Sequence, residues 1–236
     1  MSTPLSSGVH KRFNSDQSSD VKSKPEKAMV YAITKDNRAL VATELDSMYR
    51  DRKRVFVDRL KWNLPVVYGI YEKDQFDTED AVYIVAADPN TGQHHGSLRL
   101  IPSLKPHMLR DVFSALCEDG VPCGPDISEM TRICLSPSVR REEARRSLGL
   151  VWLGAIEFGM ANGIRLMTGL THAPMFANIA AAGIEVEPLG REKFFESVPY
   201  AALQTRIGKD VLERERARLG EREPVLSYRP FASAAA

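Results

Sequence analysis

Charged side chains interrupt the apolar segments of this chain in a way that could do chemistry. Arg99 lies in the strand-like segment GSLRLIP between Leu98 and Leu100, and strand alternation places it on the face opposite both leucines. If that face is covered, the guanidinium needs a carboxylate partner. Asp74 and Asp77, in the segment EKDQFD, are candidate partners in a structural ion-pair network; the alternative is that they belong to a turn or to the solvated surface.

A second pair of opposite charges, Glu129 and Arg132, lies in the segment SEMTR. A carboxylate can accept a proton in general base catalysis, and a guanidinium binds a substrate carboxylate through two parallel hydrogen bonds. Burial would raise the pKa of Glu129, whereas Arg132 nearby would lower it, and the sequence does not decide between the two. A plain ion pair is the alternative interpretation.

Two aromatic residues follow an arginine near the end of the first predicted helix. Arg52, Phe56 and Trp62 stand at spacings of four and six residues. Aromatic rings at this spacing are candidates for a platform that packs against a ligand. The alternative is that Arg52 belongs to a solvated helical face and that both rings belong to the core.

The elements that must position these residues alternate between strands and helices. Apolar residues recur at three- and four-residue spacing from about Leu40 to Leu60, which predicts a helix. The segments 81–87 and 96–102 predict a β-hairpin, because a turn-rich link joins them. Further strands are predicted at 29–34, 126–135 and 164–170, and further helices at 109–118, at 138–161 with Ser138 as its cap, at about 175–182 and after Arg206. This interleaving predicts an α/β fold with a mixed sheet and helices on both faces.

Composition limits the class of protein. The chain has 236 residues, of which 43% are hydrophobic, and a formal net charge of +1, which suits one globular domain and gives no overall attraction to nucleic acid. The three cysteines form no CxxC pair, so neither a metal site nor a disulfide framework is expected. No apolar run reaches the roughly 18 residues of a membrane span, and the N-terminus lacks the apolar core of a secretion signal. We expect no membrane partner and a cytoplasmic location.

The two ends of the chain differ in composition from its middle. Residues 1–28 are rich in Ser, Lys, Asp and Pro, so they are predicted to form a disordered extension. Residues 29–210 are predicted to form one domain, and residues 211–236 a charged helix and tail.

Taken together, the charged and aromatic positions resemble the signature of the LuxI-type acyl-homoserine-lactone synthases, also called autoinducer synthases. The resemblance covers roughly residues 29 to 205, and the matching residues are Arg52, Phe56, Trp62, Glu72, Asp74, Asp77, Gly96, Arg99, Leu100, Pro102, Met108, Leu109, Asp111, Phe113, Glu129 and Arg132. The sequence departs from the usual pattern at Ser103, Thr131 and Ile133. These departures bear on fine specificity, because each charged position of the signature is kept.

The resemblance implies a three-layer α/β/α fold with a twisted mixed sheet, related to the GNAT N-acetyltransferases. It also implies an acyltransferase that acylates the amine of S-adenosylmethionine from an acyl thioester, closes the lactone and releases methylthioadenosine, for quorum sensing. No cofactor is implied, because the sulfonium is itself a good leaving group. One alternative is a GNAT-like N-acetyltransferase that uses an acyl-coenzyme A, for which segment 146–151 would be an incomplete pyrophosphate loop. Another is a catalytically inactive scaffold.

Site residues follow from the resemblance and from the residue types together. The catalytic set is Glu129, Arg132, Asp74, Asp77 and Arg99. The set predicted to bind S-adenosylmethionine is Arg52, Phe56, Trp62 and Arg132. The acyl pocket is predicted to contain Leu166, Thr168, Leu170, Met175 and Phe176. A hydroxyl at Thr168 would favour a 3-oxo donor, unless it simply bonds to nearby backbone.

A basic patch near the start of the long helix predicts the form of the acyl donor. It comprises Arg140, Arg141, Arg145 and Arg146. Acyl carrier proteins are acidic, so this patch predicts a carrier-bound donor rather than a coenzyme A thioester. The alternative is a solvated helical face in which Glu142 pairs with Arg146.

Overall fold

The computed structural model describes residues 28–172, 179, 184–195 and 197–227. Most of the predicted N-terminal extension, residues 1–27, therefore lies outside the described residues. The same holds for Met175 and Phe176, which were predicted to belong to the acyl pocket and to a helix at about 175–182.

One large mixed sheet of nine strands organises the chain. The strands are β1 (Met29–Ile33), β4 (Val82–Ala87), β5 (His94–Pro102), β6 (Ile127–Leu135), β7 (Leu166–His172), β8 (Glu187–Pro188), β9 (Lys193–Phe195), β10 (Val198–Arg206) and β11 (Leu226–Ser227); β2 (Val66–Val67) and β3 (Tyr71–Glu72) form a separate hairpin. Their order is β11-β1-β4-β5-β6-β7-β10-β8, with β9 beside β10. Only β1–β11 and β6–β7 are parallel among the pairs in the described residues. The predicted hairpin is confirmed as β4–β5.

Helices cover both faces of the sheet. The helices are α1 (Ala42–Arg52), α2 (Met108–Asp111), α3 (Arg141–Ala161) and α4 (Lys209–Leu219), with 3-10 turns at Arg38–Val41 and Ser114–Leu116 and a π-helical segment at Lys53–Arg59. On one face, α3 and α4 pack against apolar residues that include Leu98 and Leu100. On the other face, α1 packs against Tyr31, Tyr83 and Val85. The predicted three-layer α/β/α arrangement is confirmed. No helix in the described ranges is long and apolar enough to cross a membrane.

The long helix starts later than the sequence predicts. Its first residue is Arg141, so the expectation that Ser138 caps it is wrong. The backbone N–H of Ser138 instead donates to Ser136 Oγ at 3.2 Å, within a turn that precedes the helix. Segment 146–151 lies inside the helix rather than in a loop before it. The incomplete pyrophosphate-loop interpretation of that segment is therefore wrong as well.

The C-terminal part of the described chain joins the same sheet and core. Val211 of α4 belongs to the apolar cluster under α3, and β11 pairs with β1 in parallel. Glu157 of α3 fixes β11, since its carboxylate accepts hydrogen bonds from the backbone of Val225 and Leu226 at 3.0 Å. The division predicted after residue 210 falls within α4.

Candidate active site

Buried arginines and carboxylates meet where the end of α1 crosses β5. Arg52 contacts Glu72 at 2.6 Å and Asp77 at 2.8 Å. Arg99 contacts Asp74 at 2.6 Å and the same Asp77 at 2.9 Å. The requirement that the strand arginine Arg99 have a carboxylate partner is thus met twice over, and Arg99 itself is 0% exposed.

Arg132 closes these contacts into a ring. Its guanidinium lies 3.1 Å from Glu72 Oε1 and 2.6 Å from Asp74 Oδ2. Each of the three arginines now touches two carboxylates, and each carboxylate touches two arginines. We call this the charge ring; its members are Arg52, Glu72, Asp74, Asp77, Arg99 and Arg132. The formal charges of the six groups cancel, which is what permits their joint burial.

Asp77 is held ionised by the two arginines of the charge ring that it contacts. Burial alone would raise its pKa, but Arg52 and Arg99 outweigh burial and hold the pKa of Asp77 well below its usual range. Its Oδ1 also accepts a hydrogen bond from Tyr83 Oη at 2.9 Å, and Tyr83 in turn accepts one from Tyr49 at 2.8 Å. Asp77 is therefore ionised and fixed from two sides.

A β-bulge turns Arg132 toward the charge ring. Between Ser97 and Arg99 the β5–β6 register shifts, so that β6 carries one extra residue there. Arg132 has a φ of +52°, a left-handed conformation that is found at such bulges and is unusual for a residue other than glycine. Strict alternation would send Arg132 to the face opposite its neighbour Thr131. The bulge instead keeps both side chains on the face of the charge ring.

Arg132 is also the arginine of the charge ring that keeps one nitrogen unbonded by described residues. Its Nε and Nη2 donate to the carboxylates, whereas Nη1 makes no hydrogen bond to any described residue. The guanidinium lies 5.8 Å from the centre of the Phe56 ring, and Phe56 stacks on Trp62 at 5.2 Å with an interplanar angle of 4°. Phe56 is buried, but Trp62 is 41% exposed. The stacked rings thus extend from Arg132 to the protein surface.

Glu129 lies apart from Arg132, so the plain ion pair between them does not form. Its two carboxylate oxygens accept backbone hydrogen bonds from Leu109 at 2.6 Å and Met108 at 3.0 Å, at the start of α2. Burial raises the pKa of Glu129 above its usual value, although these two hydrogen bonds, His107 and Arg99 oppose the shift. A carboxylate with a raised pKa is a better proton acceptor than an ordinary glutamate.

An apolar cluster continues from Glu129 along the same face. We call it the acyl cluster; it contains Leu109, Leu116, Cys117 and Ala202, with Phe113, Val121, Leu170, Leu189, Phe195 and Tyr200 packed against it. Thr168 pairs in register with Glu129 across β6 and β7 and is buried. Met167 points to the α3 face. The predicted alternation of Met167 against Thr168 and Leu170 is therefore confirmed, while Leu166 lines a surface cleft at the start of β7 with Asp126 and Arg165.

The predicted basic patch lies at the surface around the start of α3. All four of its arginines are exposed. Arg146 pairs with Glu221, so the predicted Glu142–Arg146 pair is wrong. Arg140, Arg141 and Arg145 form no ion pair with any described residue.

Sequence reasoning missed several polar residues that hold the site together. Thr131 accepts a hydrogen bond from Arg99 Nε at 3.0 Å, so this departure from the family pattern provides a hydroxyl partner for Arg99. Glu72 was quoted in the motif but was given no role, and it joins two arginines of the charge ring. Tyr83 donates to Asp77 and pairs in register with Arg99 across the β4–β5 hairpin. The alternation of these two strands could have predicted that Tyr83 lies on the same face as Arg99.

Comparison with known proteins gives the family. A family model described as autoinducer synthase matches residues 36–206. An acyl-homoserine-lactone synthase from Rhizobium etli is 32% identical over 168 residues, which cover 70% of this chain and 78% of that protein. The isovaleryl-homoserine lactone synthase of Bradyrhizobium diazoefficiens is 29% identical over 194 residues, which cover 81% of this chain and 86% of that protein.

Solved structures agree with the sequence relatives. The coenzyme A-dependent acyl-homoserine lactone synthase BjaI, solved with S-adenosylmethionine and isopentyl-CoA, is 27% identical to this chain. Its structure superposes with a TM-score of 0.78, and the match covers 86% of this chain and 94% of BjaI. MesI, a second coenzyme A-dependent acyl-homoserine lactone synthase, is also 27% identical, with a TM-score of 0.73 over 84% of this chain and 98% of MesI. The fold is shared with an acyl-CoA N-acyltransferase from Pseudomonas aeruginosa, as expected for a relative of the GNAT N-acetyltransferases. That protein is 16% identical, with a TM-score of 0.51 over 75% of this chain and 99% of its own. The chain belongs to the autoinducer synthase family, the acyl-homoserine-lactone synthases.

Proposed function

We propose that the charge ring, Glu129 and the acyl cluster together form the site at which this acyl-homoserine-lactone synthase joins S-adenosylmethionine to an acyl thioester. One observation carries the assignment. Arg132 is the only guanidinium of the charge ring with a nitrogen left unbonded by described residues, and Glu129 precedes it by three residues in β6. A carboxylate-binding group and a proton acceptor thus share one strand.

The first step is amide formation. The α-amine of S-adenosylmethionine attacks the thioester carbonyl, an N–C bond forms, the C–S bond breaks and a thiol leaves. An α-amine is largely protonated at neutral pH, so a base must take its proton. Glu129 supports that role because it is buried beside the acyl cluster with a raised pKa.

The second step is lactone closure. The carboxylate oxygen of the acylated substrate attacks its own γ-carbon, the bond to the sulfonium breaks and methylthioadenosine leaves. Arg132 orients that carboxylate by donating a charge-assisted hydrogen bond from Nη1, the guanidinium nitrogen that the carboxylates of the charge ring leave unbonded. Phe56 and Trp62 present stacked π faces beside it, which suits a sulfonium cation. The reaction uses no cofactor, since the leaving group is already cationic.

Asp74, Asp77, Arg52 and Arg99 act by holding Arg132 in place. Their side-chain nitrogen and oxygen atoms all take part in hydrogen bonds, within the charge ring and with Thr131, Tyr83 and nearby backbone amides, so the described residues already occupy the polar atoms of all four. They are positioning residues in this proposal. In this proposal, the catalytic role predicted for Asp74, Asp77 and Arg99 and the binding role predicted for Arg52 both become that of fixing the Arg132 guanidinium.

The acyl donor is either carrier-bound or a coenzyme A thioester. Arg140, Arg141 and Arg145, which are exposed and form no ion pair with a described residue, favour an acidic carrier protein. The likeness to BjaI and MesI favours coenzyme A, the donor class of those two enzymes. We keep the carrier-bound donor as the proposal and test it by charge reversal below.

The experiment is product analysis by mass spectrometry. Purified chain is incubated with S-adenosylmethionine and a panel of acyl thioesters on carrier protein and on coenzyme A. We expect an acyl-homoserine lactone from at least one donor. Absence of lactone with all donors would refute the proposed function.

A further inference from the structure

The helix that carries Phe56 changes its hydrogen-bond register just after Arg52. α1 ends at Arg52, and Lys53–Arg59 continue it as a π-helical segment, which we call the π segment. The backbone N–H of Leu60 donates to the carbonyl oxygen of Val55 at 3.0 Å, five residues earlier instead of the four of an α-helix. π-helical turns are rare and occur mostly at functional sites. The π segment adjoins such a site, because Arg52 belongs to the charge ring.

An ion pair within the π segment has the spacing of this wider turn. Lys53 Nζ lies 2.9 Å from Asp58 Oδ1, and the two residues are five positions apart. In an α-helix, five residues rotate by about 500°, so these side chains would stand roughly 140° apart around the axis. Helical ion pairs accordingly form at spacings of three or four residues. The π register brings Lys53 and Asp58 to one side of the helix, so their pairing favours that register over the α-helical one.

The π register also determines where Trp62 lies. Lys61 has a φ of +59°, and the chain turns back there, so that the backbone N–H of Trp62 donates to the carbonyl oxygen of Phe56 at 2.9 Å. The two rings then stack with their centres 5.2 Å apart, and the Phe56 ring faces the Arg132 guanidinium at 5.8 Å. With one residue fewer between the rings, Trp62 would be rotated by about 100° around the helix axis. The stack would then be lost.

We propose that Lys53 and Asp58 are positioning residues for S-adenosylmethionine. Their ion pair holds the π register, and the π register holds the stack of Phe56 on Trp62 against which the substrate cation packs. Neither charged side chain touches the substrate; both act through the two rings. This inference rests on the proposed function, in which the rings lie beside the sulfonium. The alternative is an ordinary surface ion pair on a helix whose register has no part in substrate binding.

A charge swap tests the ion pair. Lys53→Glu and Asp58→Lys each place like charges together, so each should raise the KM for S-adenosylmethionine about two- to fivefold, the weight of a half-exposed ion pair, and leave the KM for the acyl thioester unchanged. The double variant Lys53→Glu/Asp58→Lys restores the attraction and should recover the wild-type KM. Lys209→Glu is the control, since it makes the same substitution in the exposed pair of Lys209 with Glu213 in α4. A double variant no better than the single variants would overturn the proposal.

Deletion of Val57 tests the register itself. It leaves Lys53 and Asp58 four residues apart, the spacing at which an α-helix pairs charges, so the shortened segment can become α-helical and keep its ion pair. We expect a melting temperature near that of the wild type. Trp62 then follows Phe56 by five residues instead of six, so the stack is lost and the KM for S-adenosylmethionine should rise about tenfold. An unchanged KM would overturn the proposal. Equal losses for both substrates would also overturn it and assign the π register to folding alone.

Fluorescence distinguishes this inference from the function on which it rests. Trp152→Phe leaves Trp62 as the only tryptophan of the chain. In that background, S-adenosylmethionine should change the emission of Trp62, and deletion of Val57 should abolish this change. An active enzyme whose Trp62 emission does not respond, or responds equally after the deletion, refutes the positioning role and leaves the synthase activity standing. No lactone from the wild-type chain with any donor refutes the proposed function itself.

Discussion

Thr131 and Arg132 are neighbours in β6, yet both side chains lie on the same face of the sheet. Thr131 Oγ1 accepts from Arg99 Nε at 3.0 Å, and Arg132 Nη2 donates to Asp74 at 2.6 Å. The bulge at Arg132 makes this possible, and it leaves Nη1 of Arg132 unbonded beside Phe56. The geometry of the charge ring therefore depends on the planar fork of an arginine at this one position.

Arg132→Lys should impair S-adenosylmethionine use more than it impairs folding. Lysine keeps the charge, but it cannot contact Glu72, Asp74 and a substrate carboxylate at the same time. We expect the KM for S-adenosylmethionine to rise at least about tenfold, by the loss of a charge-assisted hydrogen bond. Arg54→Lys is the control, because Arg54 is exposed and its ion-pair partner among the described residues is Asp51, outside the charge ring. A normal KM in Arg132→Lys would contradict the role of Nη1.

Glu129→Gln should reduce turnover by about 10²- to 10⁴-fold, the usual effect of losing an acid–base group. Because the pKa of Glu129 is raised by burial, the wild-type kcat/KM should fall as the pH drops through that raised pKa, and the variant should lack this acidic limb. Rate profiles from about pH 5 to 9 measure both effects. Near-normal turnover of the variant across that range would show that another group takes the proton.

Asp77→Asn should destabilise the fold. Removing one partner of a buried ion pair costs about 3 to 5 kcal/mol, because Arg52 and Arg99 lose a counter-charge. The control Asp46→Asn breaks a half-exposed pair with Arg50 and should cost at most about 1 kcal/mol. Urea denaturation at pH 7 measures both free energies of unfolding. Equal losses in the two variants would mean that the charge ring adds no special stability.

The same pair of proteins gives a pH test. The folded pKa of Asp77 is lowered, so its contribution to stability is present above the unfolded pKa of about 3.9 and is lost as the pH falls through the folded value. The stability difference between wild type and Asp77→Asn should therefore be constant at neutral pH and shrink below about pH 4. A difference that grows on acidification would reverse the assigned sign.

The Arg140→Glu/Arg141→Glu variant tests the carrier-bound donor. Reversal of these two exposed charges should raise the KM for an acyl carrier protein thioester severalfold and leave the KM for a coenzyme A thioester little changed. The control Lys35→Glu/Arg191→Glu makes the same change in net charge at exposed residues outside α3. If both donors are affected equally, the patch does not dock a carrier protein.

Much of the fold follows from patterns that the sequence displays locally. Alternation placed Arg99 opposite Leu98 and Leu100, and the structure puts the leucines under α3 and the arginine in the charge ring. The β4–β5 hairpin follows equally from its two apolar segments and turn-rich link. These predictions succeed because a period of two residues fixes the face of each side chain.

Contacts between distant segments could not be predicted in the same way. The bulge at Arg132 breaks the alternation itself, and no glycine marks it. The partners of Glu129 are backbone amides about 20 residues earlier in the chain, whose direction depends on how α2 packs. The start of α3 was misplaced because Ser138 bonds within a turn instead of capping the helix. A hydrogen bond that uses a backbone group does not depend on the residue type there, so the sequence contains no signal for it.

The stoichiometry of one reaction mixture tests the central claim most directly. Purified chain, S-adenosylmethionine and a reactive acyl thioester are incubated, and free thiol, methylthioadenosine and acyl-homoserine lactone are quantified in parallel. The two-step reaction on one site predicts equal amounts of all three. Thiol release with an N-acylated S-adenosylmethionine or another amide, and without methylthioadenosine, would contradict the account and indicate a plain N-acyltransferase.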